Sequence, residues 1–153
     1  MQIDRSVRLV MTQYRFLQPP DDQTAQIPDS CMTQITRLYR EAGWWDRRDD
    51  NPAHIRRIID GSHFFLIAVE NDQVIGMGRV ISDRASDAYI QDVTVLPSRR
   101  ENGIGSQIVS RLVDQVEKAG LMWIGLIAER NTAQLYERIG FQKMPDSTPM
   151  KKK

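Results

Sequence analysis

Hydrophobic residues in this chain follow two different spacings, and the change from one to the other divides the sequence into short segments. Where apolar residues alternate or run together among β-branched and aromatic neighbours, a strand is predicted; where they recur every three or four positions, a helix is predicted. On this basis we predict strands at residues 14–17, 64–69, 74–81, 89–96, 121–128 and 141–144, a weaker strand near residue 150, and helices at residues 30–42, 52–59, 104–119 and 132–139.

Turn residues mark several of these boundaries. Pro19 and Pro20 are expected to end the first strand, and Gly43 follows the first helix as a cap. Asn71 and Asp72 separate the second and third strands. Both residue types tolerate the positive φ that a two-residue turn requires, so these strands are predicted to form a hairpin.

The order of the elements predicts the topology. Residues 89–128 contain a strand, a helix and a strand, which favours a right-handed crossover between parallel neighbours. The strands before this unit are expected to be antiparallel. The apolar segment 121–128 is expected to be a buried strand, with 141–144 as an edge strand. The predicted fold class is therefore α/β of the α+β type, a mixed, mostly antiparallel sheet with helices on both faces.

Length and charge agree with one domain, residues 1–153. A chain of this length buries roughly 70% of the surface that its unfolded form exposes, enough for one core. Its 21 basic and 20 acidic residues leave a formal net charge of +1, so no broad basic surface for nucleic acid is expected. The longest apolar runs are far shorter than the ~20 residues of a membrane helix. The single cysteine, Cys31, cannot form an internal disulfide, and we expect a soluble cytoplasmic protein.

The segment at residues 93–105 combines a β-branched strand end, a proline, two arginines and a Gly-x-Gly that opens a helix. Pro97 ends the strand because it fixes its own φ and supplies no amide hydrogen. Gly103 and Gly105 permit close approach of a ligand to the unpaired first amides of the helix. Those amides and the arginines favour an anion, so a phosphate or pyrophosphate site is predicted. The alternative is an ordinary strand-to-helix turn with solvated arginines.

Two common phosphate motifs do not describe this segment. The terminal Gly-Lys-Ser/Thr of a P-loop is absent, and Ile108 occupies the third glycine position of the dinucleotide pattern. The remaining pattern, Arg100-x-x-Gly103-x-Gly105 behind Val-x-Val-x-Pro, resembles the acetyl-coenzyme A signature of the GNAT superfamily of acyltransferases. Residues 131–141 resemble the closing segment of the same family, with an asparagine at the start, then a tyrosine and a Gly-Phe. The resemblance covers residues 63–144 well and residues 1–62 loosely.

The resemblance implies that one parallel strand pair splays apart to receive acetyl-coenzyme A. Backbone amides of Val93 and Val95 would bind the pantetheine arm and the acyl carbonyl, and would stabilise the oxyanion that forms when an amine attacks. Asn131 would hydrogen-bond the arm, although asparagine at a helix start is commonly an N-cap. The implied cofactor-binding set is Val93, Thr94, Val95, Arg99, Arg100, Glu101, Asn102, Gly103, Ile104, Gly105, Ser106, Asn131 and Tyr136.

Candidates for proton transfer lie in the same region. By the resemblance, Tyr136 would protonate the departing thiolate, since its usual pKa near ~10 keeps the hydroxyl protonated at neutral pH; a core tyrosine is the alternative. Asp92 is the first candidate for the base that deprotonates the amine, with a raised pKa if it is desolvated; the alternative is a structural carboxylate paired with an arginine. Glu129 is the second candidate and Asp87 the third. Gln91 stands where several family members carry a glutamate, and it cannot accept a proton.

The acceptor is expected to bind through the poorly matched N-terminal third, where Trp44 and Trp45 follow the first helix. Adjacent tryptophans can form the wall of an apolar or cation-binding site, and packing between helix and sheet is the alternative. No metal is expected, because His54 and His63 have no partners at metal-ligand spacing.

The sequence therefore predicts an N-acetyltransferase that moves an acetyl group from acetyl-coenzyme A directly to an amine. The acceptor is left open among small amines, amino sugars, amino acids and peptides or proteins. No nucleic acid or membrane partner is expected, and small soluble enzymes commonly form homodimers. A noncatalytic acyl-coenzyme A sensor or interaction module is the alternative, favoured by Gln91 and disfavoured by Tyr136. A nucleotide-phosphate binder without acyl chemistry is disfavoured, because no acidic metal ligands accompany the Gly-x-Gly.

Overall fold

A five-stranded sheet in the order β1-β2-β3-β4-β5 forms the centre of the molecule. A computed structural model describes residues 10–17, 27–46 and 51–153; Pro19 and Pro20, expected to end the first strand, lie outside these ranges. All neighbouring strands are antiparallel except β4 and β5, which are parallel, so the predicted mixed sheet is confirmed. The strands are β1 (Gln13–Phe16), β2 (Phe64–Glu70), β3 (Gln73–Ser82), β4 (Asp87–Val95) and β5 (Trp123–Leu126).

Helices cover both faces of this sheet. In the described residues these are α1 (Asp29–Glu41), α2 (Pro52–Gly61), α3 (Ile104–Lys118) and the short α4 (Ala133–Glu137). Gly78 of β3 lies against α3, whereas the next residue, Arg79, shares a hydrogen-bond partner with Tyr39 of α1. Because successive strand residues point to opposite faces, α1 and α3 lie on opposite sides. No helix in the described ranges is long and apolar enough to cross a membrane.

The β2–β3 hairpin turns at the two residues that the sequence indicates. Asn71 and Asp72 have φ of 47° and 61°, and Glu70 pairs with Gln73 directly before and after them. Two successive positive φ values suit the twist of the strands on either side of a two-residue turn. The prediction of a hairpin is confirmed.

Apolar side chains from the sheet and the helices form the core. β2 is buried along its whole length. The stripe predicted for α3 is buried as expected, with Ile104, Ile108, Leu112 and Val116 each at most 4% exposed. Spacing of three or four residues puts such side chains on one helix face, which here faces the sheet.

Two glycines allow α3 to lie close to β3. A Cβ atom on Gly78 would lie 2.8 Å from Cγ2 of Ile108, and one on Gly76 would lie 3.1 Å from Cδ1 of the same side chain. Side chains at these positions would push α3 away from the sheet. The glycines therefore set the position of α3, including its first turn.

The C-terminal part of the chain differs from the sequence prediction. A strand is confirmed within 121–128, but β5 has only four residues and lies at the edge of the described sheet, so its expected length and burial are wrong: Met122 is 93% exposed and Trp123 is 45% exposed. Residues 141–153 contain no strand, so the strands expected at 141–144 and near 150 are wrong as well. Phe141 and Met144 are three residues apart, which in a strand would put them on opposite faces.

Candidate active site

A β-bulge in β4 positions the polar side chains at the centre of the molecule. The register passes from Met77 opposite Thr94 to Arg79 opposite Gln91, so one residue of β3 faces two residues of β4. Within this bulge Asp92 has φ of 55°, which is uncommon for a residue with a side chain. The extra residue allows the consecutive Gln91 and Asp92 to reach the same side chain, Arg79, on the α1 face.

The two parallel strands, β4 and β5, separate near this bulge, toward the C-terminal end of each strand. Pairing between β4 and β5 stops at Ile90 and Leu126, although β4 continues to Val95. The amide of Leu96 donates to the carbonyl of Ile75 on β3. Alternate amides of a strand point to opposite neighbours. Since the amide of Leu96 points to β3, the amides of Val93 and Val95 point to the opposite side, where β5 no longer pairs with β4. The gap is therefore bordered by backbone donors.

A cavity of about 520 Å³ occupies this gap. Its wall includes three of the four residues predicted to transfer protons, Asp92, Glu129 and Tyr136. From the predicted cofactor-binding and acceptor sets, it also includes Val93, Thr94, Val95, Arg100, Gly105 and Trp44. The structure thus brings together side chains from β4, from the loop after β5, from α4 and from the end of α1.

The first turn of α3 has backbone amides available for an anion. Gly103 precedes the helix with φ of 74°, and no side chain caps the helix. The first hydrogen bond of the helix is donated by the amide of Gln107 to the carbonyl of Gly103. The amides of Ile104, Gly105 and Ser106 consequently have no acceptor within the helix. A Cβ atom on Gly103 would meet no atom within 4 Å, so the space beside Gly103 is open. This donor set fits a phosphate group.

Arg100 is held beside this turn. Its Nε donates to the carbonyl of Val95 at 3.1 Å, which leaves its terminal N–H groups without a partner in the described residues. The Asn102 side chain donates to the carbonyls of Arg99 and Arg100, and Glu101 has φ of 65°. Asn102 therefore stabilises the loop that presents Arg100.

Arg99, also predicted to bind the phosphate, has another partner. Its Nη2 lies 2.7 Å from Oε2 of Glu70, and the Glu70 side chain is only 9% exposed. Oε2 makes no hydrogen bond, so this contact is a charge pair without hydrogen-bond alignment, while Oε1 accepts from Thr12. Arg99 does not line the cavity. Its position ties the end of β2 to the turn before α3.

Asp92 is bound by two donors on the α1 face. Its Oδ2 accepts from Nε of Arg79 at 2.6 Å and from the hydroxyl of Tyr39 at 2.7 Å. Burial, followed by the proximity of Asp92, raises the pKa of Tyr39 and keeps that hydroxyl a donor. The pairing with an arginine that the sequence left as an alternative is the one observed. Asp87 begins β4 and does not line the cavity.

Tyr136 lies half-buried on α4, with its ring edge-on to Phe141 at 6.0 Å between centroids. Burial, and then the nearby Glu129 carboxylate, raise the pKa of Tyr136 above its usual value. Its hydroxyl is therefore protonated at neutral pH and is available as a donor in the cavity.

The two tryptophans have different surroundings. Trp45 stacks on Tyr39 with 4.1 Å between ring centroids and contacts His54, and it does not line the cavity. Trp44 meets Tyr39 edge-on at 6.0 Å, is 36% exposed and lines the cavity. Trp45 therefore packs against α1, and of the two tryptophans only Trp44 borders the cavity.

A tight turn follows β5 and carries Glu129 into the cavity wall. Both the amide and the hydroxyl of Thr132 donate to the carbonyl of Glu129, at 3.1 and 2.6 Å. Arg130 and Asn131 have φ of 51° and 63° within this turn. Thr132, not Asn131, precedes α4 as its N-cap residue, and Asn131 is exposed and does not line the cavity.

Sequence reasoning missed several residues of the wall. Tyr89, Ile127, Arg130 and Leu135 all line the cavity, and Arg79 holds Asp92. Their position follows from the bulge in β4 and from the point at which β5 separates, and neither is visible in a hydrophobic pattern. In the ranges that the structure describes, no group of three or more His, Cys, Asp or Glu side chains could hold a metal ion.

Comparison with known proteins gives a consistent result. The sequence model of the "Acetyltransferase (GNAT) family" matches residues 25–141. An uncharacterized N-acetyltransferase, ycf52, of Pyropia yezoensis is 33% identical over 76 residues, which are 50% of this chain and 44% of that protein. The chloroplastic GCN5-related N-acetyltransferase 1 of Arabidopsis thaliana is 31% identical over 115 residues, 75% of this chain and 58% of that protein. The chain thus spans about half the length of these relatives.

Solved structures share the fold over almost the whole chain. A probable acetyltransferase of methicillin-resistant Staphylococcus aureus, described as a protein of unknown function, has a TM-score of 0.74 and 24% identity, covering 94% of this chain and 99% of its own. A predicted acetyltransferase of Clostridium acetobutylicum, solved with acetyl-coenzyme A, has a TM-score of 0.67 and 21% identity, covering 92% and 96%. At these identities the likeness concerns the fold.

Proposed function

The chain belongs to the GNAT family of acetyltransferases, and we propose that it transfers an acetyl group from acetyl-coenzyme A directly to an amine. One observation carries this proposal. The gap between β4 and β5 joins the uncapped first turn of α3 to a cavity that contains a protonated tyrosine and two carboxylates. A phosphate-binding end and a proton-transfer centre are both needed for acyl transfer from a coenzyme A thioester.

The donor would be held along β4 and at the start of α3. The amides of Ile104, Gly105 and Ser106, together with Arg100, would bind its pyrophosphate. The amides of Val93 and Val95 would bind the arm and stabilise negative charge on the acyl oxygen. Bound acetyl-coenzyme A supplies a thioester carbon that an amine can attack, with cleavage of the carbon–sulfur bond.

Two side chains would move the protons. Glu129 accepts a proton from the acceptor's ammonium group, since its carboxylate lines the cavity and has no ion-pair partner in the described residues. Tyr136 donates a proton to the leaving sulfur and regains one from solvent. Asp92 already accepts hydrogen bonds from Arg79 and Tyr39, so we propose that it stabilises the bulge. The alternative is that Asp92 itself accepts the proton from the acceptor.

An assay of thiol release from acetyl-coenzyme A tests the proposed function. The purified full chain is expected to release thiol only when an amine acceptor is added, in a panel of amines, amino sugars, amino acids and peptides. Binding of acetyl-coenzyme A with no release from any acceptor would instead support the noncatalytic sensor. Failure to bind acetyl-coenzyme A would contradict both.

A further inference from the structure

The charged side chains around the cavity are not all paired with each other. Asp92 pairs with Arg79, and Arg100 is bound to the end of β4 next to the α3 turn. Two charges then remain in the cavity wall, Glu129 and Arg130. Neither has an ion-pair partner within the residues that the structure describes. They are adjacent in sequence and opposite in sign, so one cavity wall carries both a negative and a positive group.

The backbone holds Arg130 in a conformation that is costly for a residue with a side chain. Its φ of 51° and the φ of 63° at Asn131 are fixed by the two hydrogen bonds from Thr132 to the carbonyl of Glu129. Such strain persists where the surrounding structure maintains it, and it is common at ligand-binding positions. Here the turn directs Glu129 and Arg130 into one cavity rather than to opposite sides of an extended strand.

The guanidinium of Arg130 reaches the acceptor end of the cavity. Its Nη2 lies 3.5 Å from the position that a Cβ atom on Gly43 would occupy, in the turn that ends α1. The next residue, Trp44, is the exposed tryptophan of the cavity wall. The positive charge of Arg130 is thus placed beside the turn that carries Trp44, the surface that would contact the acceptor.

We propose that Arg130 binds a carboxylate on the acceptor, and that the acceptor is therefore an amino acid or a closely similar compound whose amine and carboxylate lie close together. This inference rests on the proposed function and specifies its acceptor. Guanidinium groups bind carboxylates through two parallel hydrogen bonds. The amine of the same molecule then faces Glu129, which lines the same cavity as the proposed proton donor Tyr136. The cavity must also hold the arm of the donor, which favours a compact acceptor.

A different role for Arg130 would be to stabilise the end of α1, because cationic side chains interact favourably with helix C-termini. That role predicts a loss of thermal stability on substitution and equal effects on all acceptors. Binding of a carboxylate predicts an effect that depends on the acceptor. The two roles are therefore separable by comparing acceptors that differ only in the carboxylate.

The test compares a panel of L-amino acids with the corresponding amino acid amides, which keep the side chain and the amine and lack the charge. The quantity measured is the ratio of kcat/KM for each acid to that for its amide, in the wild type, in Arg130→Gln and in a control, Arg138→Gln. Arg138 is exposed, follows α4 and does not line the cavity. Comparing ratios between variants cancels the different amine pKa of acid and amide.

We expect Arg130→Gln to lower this ratio about tenfold or more, through a higher KM for the acid, because a charge-assisted hydrogen bond is lost. Arg138→Gln should leave it unchanged. An unchanged ratio in Arg130→Gln, equal losses with acid and amide, or a wild type that acetylates only amines without a carboxylate would each overturn the inference. In the last case amine-dependent thiol release persists, so the proposed function stands and only the inference about the acceptor fails. If the protein does not bind acetyl-coenzyme A, the proposed function itself is contradicted.

Discussion

Tyr136 and Asp92 both line the cavity, but they differ in hydrogen bonding: Asp92 accepts two hydrogen bonds, and the Tyr136 hydroxyl has no partner in the described residues. The Tyr136 hydroxyl is available as a donor, so Tyr136→Phe should lower kcat about 100-fold. The dissociation constant for acetyl-coenzyme A should change less than about twofold, since the ring remains. Thiol-release kinetics and calorimetry measure the two quantities. Tyr14→Phe removes a hydroxyl from β1, outside the cavity, and should retain wild-type kcat. Parallel loss of affinity and kcat in Tyr136→Phe would indicate a packing role.

The pH dependence of kcat tests the same assignment. Burial and Glu129 raise the pKa of Tyr136, so the acid form persists where an ordinary tyrosine, with a pKa near ~10, begins to ionise. In the wild type, any fall in kcat from loss of this proton should therefore begin at higher pH than the ionisation of an ordinary tyrosine. An alkaline fall with an apparent pKa below ~9 that disappears in Tyr136→Phe would be inconsistent with this environment.

Asp92 and Glu129 are predicted to respond differently to neutralisation. Asp92→Asn leaves Arg79 without its charged partner and should lower the free energy of unfolding by about 1–3 kcal/mol. Glu129 is exposed, so Glu129→Gln should leave stability within about 0.5 kcal/mol while lowering kcat/KM. Urea denaturation and thiol-release kinetics make this comparison. A fully active Glu129→Gln variant together with a stable, inactive Asp92→Asn variant would assign the base to Asp92 instead.

At the level of elements, the contact between α3 and β3 determines where the phosphate-binding turn lies. Gly78→Ala puts a Cβ atom 2.8 Å from Ile108 and should lower the free energy of unfolding by about 1–3 kcal/mol. It should also weaken binding of acetyl-coenzyme A, because the start of α3 moves with the helix. Gly61→Ala is the matched control: nothing lies within 4 Å of its Cβ position, and alanine favours the helix. Equal effects of the two substitutions in urea denaturation would contradict this account of the α3 contact.

The sequence predicts those elements whose signal is local. The Asn71–Asp72 hairpin and the spacing of Ile104, Ile108 and Leu112 depend on nearby residues, and both are confirmed. β5 was predicted to be long and buried because its residues are apolar. Its length is instead set by the point at which it leaves β4, and its burial by the absence of a neighbour on its outer side in the described sheet.

At the scale of the whole molecule, contacts between residues far apart in sequence determine features of the site that local sequence patterns do not predict. Motif residues such as Gly105 and Tyr136 are predicted from the sequence because their order along the chain resembles a family pattern, and both line the cavity. The hydrogen bond between Tyr39 and Asp92 joins residues 53 positions apart, and the ion pair of Glu70 with Arg99 joins β2 to the turn before α3. Such contacts depend on the packing of α1 and the sheet as a unit. They decide which predicted carboxylate and which predicted arginine remain free for chemistry.

Calorimetric titration with acetyl-coenzyme A tests the central claim, that the β4–β5 gap and the α3 turn together form a donor site. The wild type should bind at one saturable site, and Arg100→Ala should bind about tenfold or more weakly because a guanidinium–phosphate contact is lost. Arg57→Ala, which removes an exposed arginine of α2 outside the cavity, should bind as the wild type does. A folded wild type that does not bind acetyl-coenzyme A, or equal affinity in wild type and Arg100→Ala, would contradict the account.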